Sequence, residues 1–509
     1  MSQAALVQTP PPAVAPDTAL PKALPPDALP PGSVAVPGGE VFVIASEYFE
    51  AGRLDAAERM LRHLLATQPE QPEAVHLLGL IEHKRGHGEA AAALVERAIA
   101  AGGRRPVHYR NLSEIYRLLA RLDPALTAAR RAVSLDPADA LGLFNMAMVL
   151  YDRLEVKAAI AAARAALEIK PNLPQAHMKL GQSLLLLGEF AEGWAEYEWR
   201  YQIPGAAALM PTTDRPQWDG RPLGPGERLL LIADQGYGDV IQFARYIPWV
   251  QARAPDLALA CSRELLSTID RIVPALPSFH RWEACPPFVA YCPLSGLPRL
   301  AGTRLETIPA PIPYLKTDPA LVAAWREKLA ARVARGVKRV GIAWAGRPTH
   351  NNNINRTIRL ETLAPLFDVS NITLISLQKG PAAAELGGYR GAAPLLNLDP
   401  EISNFDDTAA IVENLDLVLC VDTSLGHLAG ALGKPAWVML PHAPDWRWLL
   451  GRSDTPWYPT LQLFRCPGPR RWDLLLPQIA AALRGWAQPG SRPGAPSPAA
   501  ALELPPLSP

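Results

Sequence analysis

The chain has 509 residues, enough for two to four domains, each with a core of its own. Its 50 basic and 49 acidic residues leave a net charge of +1, which excludes the electrostatic signature of a nucleic-acid or polyanion binder. No apolar run reaches the roughly 18 residues that span a bilayer. The N-terminus has no basic stretch leading into an apolar one, so no secretory leader is expected. The five cysteines (Cys261, Cys285, Cys292, Cys420, Cys466) lack CxxC spacing, which argues against a disulfide framework or a zinc site and for a reducing, cytoplasmic compartment.

Residues 1–38 and 488–509 are rich in Pro and Ala. Such stretches bury too little apolar surface to offset their ordering entropy, and both are expected to be disordered tails. From 39 to 204 the pattern is helical and repeats. Ala98, Ala132 and Ala166 recur every 34 residues, as do Leu65, Ile99, Val133 and Leu167, and Pro137 and Pro171 keep the same step. Gly79 and Gly181 stand three steps apart. A 34-residue period with small residues at helix crossings predicts tetratricopeptide repeats, about five units beginning near 40, 72, 106, 140 and 174. Each unit buries its apolar face only against its neighbours, and the stacked array is expected to recruit a protein partner or acceptor.

A Trp/Pro-rich bridge leads to a predicted strand at Arg228–Ala233, a glycine loop Asp234-Gln235-Gly236-Tyr237-Gly238-Asp239, and a helical run VIQFARYIPWVQAR. Strand, glycine loop and helix open a Rossmann-like half, although the loop lacks the third glycine of a dinucleotide site. Gly236 and Gly238 permit close backbone approach, and Asp239 is expected to begin the helix, as an N-cap or in a chemical role. A further strand and helix follow at Leu257–Val273. The segment Trp282–Leu300 is ambiguous, and ETIPAPIPYLK reads as an inter-domain connection.

The second half alternates in the same way. A strand at Val340–Trp344 ends in Ala345-Gly346-Arg347 and the Asn-rich loop PTHNNNINRTIRL, where Arg347 and Arg356 offer forked donors to a pyrophosphate or are simply solvated. Helix Leu360–Phe367, strand Ile372–Leu377, loop SLQKGP, helix Asp406–Asn414 and strand Leu415–Val421 come next. The last strand stops at Asp422-Thr423-Ser424. A helical pattern then runs through Leu425, Leu428, Ala429 and Leu432 to Gly433, before a strand at Trp437–Leu440. The hydroxyl turn lies at the positive end of a helix, which suits phosphate. Ligands of βαβ sheets bind at the carboxyl ends of strands, and the loops at 234–239, 345–359, 378–381 and 422–427 all lie there. Gln378 and Lys379 are therefore possible nucleotide contacts. Asp445-Trp446-Arg447-Trp448, with Asp445 and Trp446 foremost, could shape a sugar or base pocket, Trp446, Trp448 and Trp457 being equally suited to a core. No acidic pair has metal-ligand spacing near this site.

Three segments carry a resemblance: DQGYGDVIQFARYIP, GIAWAGRPTHNNNINRTIRL and VDTSLGHLAGALGKPAWVMLPHAPDWRWLLGRSDTPWYP. They resemble bacterial tetratricopeptide-repeat glycosyltransferases, whose catalytic part is similar to glycosyltransferase family nine, the heptosyltransferases. The architecture is also similar to that of O-GlcNAc transferase. The resemblance implies an all-α tetratricopeptide solenoid followed by an α/β GT-B module of two Rossmann-like domains. These would be an acceptor-side domain at 205–315 and a nucleotide-sugar domain at 316–487. It implies Asp239 as general base, and Asp422, Thr423, Ser424 and His427 as holders of the donor diphosphate, with Arg356 or Arg347 assisting. It also implies inverting, metal-independent transfer to a hydroxyl on a protein, glycan or lipid, with no cofactor beyond the nucleotide-diphosphate sugar. The Asn-rich loop departs from the heptosyltransferase pattern. An interaction scaffold with an inert module is the alternative; a nucleotide-sugar epimerase would leave the repeats unexplained.

Overall fold

The computed structural model describes residues 38–205, 210–273, 276–309 and 311–488. The two expected tails, 1–38 and 488–509, lie outside them apart from Gly38 and Gln488. Ten helices come first, in five pairs: α1 (Gly38–Glu50) with α2 (Leu54–Thr67), α3 (Pro72–Lys84) with α4 (Gly88–Ala100), α5 (Pro106–Leu118) with α6 (Leu122–Leu135), α7 (Ala140–Asp152) with α8 (Val156–Ile169), and α9 (Pro174–Leu187) with α10 (Phe190–Tyr197). Pro72, Pro106 and Pro174 open their helices, where a missing N–H costs nothing. Small residues close the crossings: a Cβ on Gly79 would lie 2.8 Å from Val95 Cγ2 and 3.2 Å from Ala91 O. The described residues divide into two units between Ala176 and His177, within α9, so the later turns of α9 and all of α10 belong with the α/β part.

The α/β part holds two sheets. The first runs β3-β2-β1-β4, from β1 (Leu229–Ile232), β2 (Leu257–Ala260), β3 (Ser278–Phe279) and β4 (Ala290–Pro293). The second runs β10-β9-β8-β5-β6-β7, from β5 (Lys338–Ala343), β6 (Ile372–Ser376), β7 (Leu395–Asn397), β8 (Leu417–Val421), β9 (Ala436–Leu440) and β10 (Leu461–Arg465). Every pairing is parallel. Such strands are covered on both faces, which is why β1, β8 and β9 are unbroken apolar runs and β6 is apolar or β-branched up to its final Ser376. Numbered within itself, the second sheet has the order 3-2-1-4-5-6 of a doubly wound fold, and the first has its 3-2-1-4 part.

Several boundaries differ from expectation. The helix after β1 is α11 (Tyr237–Phe243), which stops early and resumes only at Ile247–Gln251, because a 3-10 turn precedes Pro248. The segment 360–367 is half 3-10 helix. The ambiguous segment around 290 contains β4, and the helix Trp472–Trp486, which covers the second sheet with Leu475, Leu476, Ile479 and Leu483, had no counterpart in the sequence reading.

Candidate functional site

Each sheet has one place where neighbouring strands send their loops in opposite directions, and a crevice opens there. In the first sheet it lies between β1 and β4. Asp234, just after β1, accepts from Ser295 N at 3.1 Å, from Ser295 Oγ, and from the Tyr201 hydroxyl at 2.9 Å. The buried Arg200 donates to the same Ser295 Oγ at 2.7 Å. In the second sheet the crevice lies between β5 and β8, and Arg356, from the Asn-rich loop, crosses it to donate to Asp422 O at 3.0 Å.

The loops after β1 and β8 meet. Gly238 packs on the helix Ser424–Ala431 so closely that a Cβ would lie 2.7 Å from His427 Cδ2 and 3.5 Å from Ser424 Cα. His427 is buried, with Nδ1 3.0 Å from the Tyr458 hydroxyl and its ring 5.3 Å from that of Trp448. Burial, reinforced by Arg447, pushes its imidazole down to about 3, so it is neutral at physiological pH.

The helix Ser424–Ala431 ends in a Schellman motif: Gly433 lies at φ +69° and donates to Gly430 O at 3.1 Å, and Lys434 N donates to Ala429 O at 2.9 Å. Its other end is open. Thr423 occupies the N-cap position, but its hydroxyl makes no cap bond and points inward. Among the described residues the amides of Ser424 and Leu425 have no protein acceptor, whereas Gly426 N donates to Thr423 O at 3.1 Å. Free first-turn amides at a helix's positive end bind anions. Beside them, Arg356 lies over Gly346, where a Cβ would sit 2.5 Å from Nη2. Its Nε is buried without a partner among the described residues, and burial lowers the pKa of the guanidinium. Arg347 takes a different position, exposed with its guanidinium 5.5 Å from the ring of Tyr237. His350, in the same loop, is pushed down to about 4 by burial and then by Arg356.

Asp239 is not an N-cap. It is the third residue of α11 and reaches back to accept from the N–H of Gly236, the N-cap, at 3.0 Å. Its other oxygen accepts from Arg447 Nη2, and from the Gln235 amide nitrogen at 3.2 Å with that amide in the orientation its hydrogen-bonding neighbours favour. Arg447 is the hub of the site. Nε donates to Gln242 Oε1, Nη1 donates to Asp445 Oδ1 at 2.7 Å, and the guanidinium lies 4.3 Å from the Trp446 ring centre. Burial raises the pKa of Asp239, with Arg447 opposing it. Asp445 is only partly buried; desolvation pushes its pKa up, but Arg447 outweighs that and holds it below its ordinary value. Asp422, desolvated and facing Asp445, is pushed up to about 6.

The remaining candidates are occupied elsewhere. Gln378 Oε1 accepts from Trp344 N and Ala345 N, each at 2.9 Å, and Nε2 donates to Ala345 O at 3.1 Å and Lys379 O at 2.9 Å. The amide pins the loop after β5. Lys379 pairs with Asp399 at 2.8 Å. Trp446 is core, packed edge-on against Trp194, Tyr197 and Trp457. Arg447 stood in the sequence only as one residue of a pocket-shaping stretch, with no ion-pairing role of its own. Its signal was a lone cation between two tryptophans, a pattern that suits a buried guanidinium stacked on a ring.

A tetratricopeptide repeat family model matches residues 42–106. Protein FlbA of Caulobacter vibrioides is 26% identical over 478 residues, which cover 86% of this chain and 77% of that protein. Among solved structures, MamA from Desulfovibrio magneticus RS-1 is 15% identical over 33% of this chain and 97% of its own, with a TM-score of 0.30. TTC0263, a tetratricopeptide protein of Thermus thermophilus, is 23% identical over 33% of this chain and 92% of its own, also with a TM-score of 0.30. The chain thus joins a tetratricopeptide-like helical region, of a kind that suggests protein interaction, to a region of parallel sheets. Among the described residues, no helix is long and apolar enough to cross a membrane, and no group of His, Cys, Asp and Glu is placed to hold a metal ion.

Proposed function

We propose that the α/β region is a GT-B glycosyltransferase module that moves a sugar from a nucleotide-diphosphate donor to a hydroxyl, with the repeats recruiting the acceptor or a partner. The observation that carries this reading is the uncapped start of the helix Ser424–Ala431, with the partnerless Arg356 Nε beside it. Free amides and a guanidinium without a carboxylate partner suit a diphosphate, and they would stabilise the charge that develops on it as it leaves. Asp239 lies across the contact between the two loops. Its raised pKa suits a carboxylate that takes the acceptor's proton as the hydroxyl attacks. Neutral His427 would donate a hydrogen bond without adding charge.

One observation favours an inert scaffold instead. Both oxygens of Asp239 are engaged, and Gly238 is seated on His427, as in a module held together for structural reasons. Thermal stabilisation by nucleoside diphosphates and their sugars separates the readings. At a hundredfold excess over Kd a ligand adds about 2.7 kcal/mol. A transferase is stabilised by one of them, and Ser424→Pro and Arg356→Gln lose the effect while Asp239→Asn keeps it. If none shifts the melting temperature, the donor site is refuted and the scaffold stands.

A further inference from the structure

The two carboxylates gripped by Arg447 differ in what they leave open. Asp239 has one oxygen on Arg447 and Gln235 and the other on the Gly236 amide. Asp445 spends a single oxygen on its own helical turn: Oδ1 accepts both Arg447 N at 3.1 Å and Arg447 Nη1 at 2.7 Å. Its Oδ2 has no donor among the described residues. The Asp445 side chain is 34% exposed, against 24% for Asp239 and 7% for Arg447, so the open oxygen belongs to the most accessible member of the group. Its position is central, since Arg356, His350, His427 and Asp422 all feel its charge. A carboxylate oxygen that is fixed, ionised and unused, beside an anion site, is an acceptor for hydroxyl groups.

We propose that Asp445 Oδ2 receives a hydroxyl of the donor's sugar and so helps to choose which sugar is carried. The inference rests on the transferase reading above and assigns the two carboxylates different tasks. Asp445 stays charged because Arg447 holds it so, which makes it a strong hydrogen-bond acceptor and a weak base. Asp239, raised by burial, is the better proton acceptor. Pairs of titratable groups pushed apart in this way divide binding from proton transfer.

The test is calorimetric, on the full chain. Affinities are measured for uridine, guanosine, thymidine and adenosine diphosphates and for their hexose esters, with wild type and Asp445→Asn. The variant keeps the Oδ1 acceptor and turns the open oxygen into a donor. The ester's affinity relative to its own nucleotide should fall about tenfold to hundredfold, the worth of a hydrogen bond to a charged group. On wild type alone, replacing single sugar hydroxyls by fluorine should reproduce that loss at one ring position. This second arm does not depend on how well the variant folds. Equal losses for nucleotide and ester, or fluoro-sugars that all bind like the parent, overturn the proposal and leave the donor site intact. If no nucleotide binds wild type, the transferase reading falls and takes this inference with it.

Discussion

Beside local pairs in both regions, several charged side chains of the helical repeats meet partners about one repeat away, whereas several in the α/β unit meet partners more than a hundred residues off. Arg85 pairs with Asp55, 30 residues off, Arg121 with Glu89 at 32, and Arg117 with Asp152 at 35. Several of these partners face water: the Asp55 side chain is 82% exposed. In the α/β unit, Arg447 holds Asp239 at a separation of 208 residues, Arg245 donates to Trp457 O at 212, and Arg271 holds Asp406 at 135. Solvated pairs that recur with the repeat add little individually, while a buried pair leaves an uncompensated charge when it is broken.

The widest gap between the regions should therefore come from Arg447→Met. It strands Asp239 and Asp445 and should cost about 3–5 kcal/mol, seen as lost hydrogen-exchange protection in α11 and β8 with α1–α8 unchanged. Equal loss in α1–α8 would break the contrast. Next is Gly238→Ala, whose Cβ meets the His427 ring at 2.7 Å. Overpacking there should cost about 1–3 kcal/mol in urea denaturation.

The repeats have one buried titratable cluster of their own, which sharpens the comparison. His76 packs 4.3 Å from His108 and takes the Asn111 amide at 3.0 Å. Burial, then His108, pushes its pKa from 6.5 to about 3. Because the folded value is the lower one, the unfolded chain binds the extra proton, and stability is lost as pH falls below about 6.5. At pH 5 the loss should be about 2 kcal/mol, measured as an earlier urea transition in α3–α6 and reduced in His76→Asn. The smallest effect belongs to Asp123→Ala. It removes one partner of Arg153, which keeps Glu155 at 2.6 Å, and Asp123 is 87% exposed, so the change should stay below about 1 kcal/mol.

The repeat helices were legible because their evidence is periodic: the expected starts near 40, 72, 106, 140 and 174 meet observed starts at Gly38, Pro72, Pro106, Ala140 and Pro174. The Asp422–Ser424 turn was legible because strand, hydroxyl turn and helix are consecutive, so one short window contains the whole device. Asp239 was half legible. Its place in the glycine loop was evident, but its capping partner is Gly236 and its ion-pair partner is Arg447, and only the first is local. Arg347 and Arg356 stood as equals in the sequence, and the fold separated them by sending Arg356 across the β5–β8 crevice and leaving Arg347 on Tyr237.

Composition, period and strand–loop–helix order by themselves determined the helical array, the alternating halves and the loops at their strand ends, since each is a short-range property of backbone geometry and apolar spacing. Tertiary structure alone decided that Trp446 is core, that Gln378 is a backbone pin, and that Asp239, Asp445 and Arg447 form one charged group. Those outcomes depend on which buried polar groups meet, and a desolvated charge takes whatever partner the fold brings within reach, at any distance along the chain.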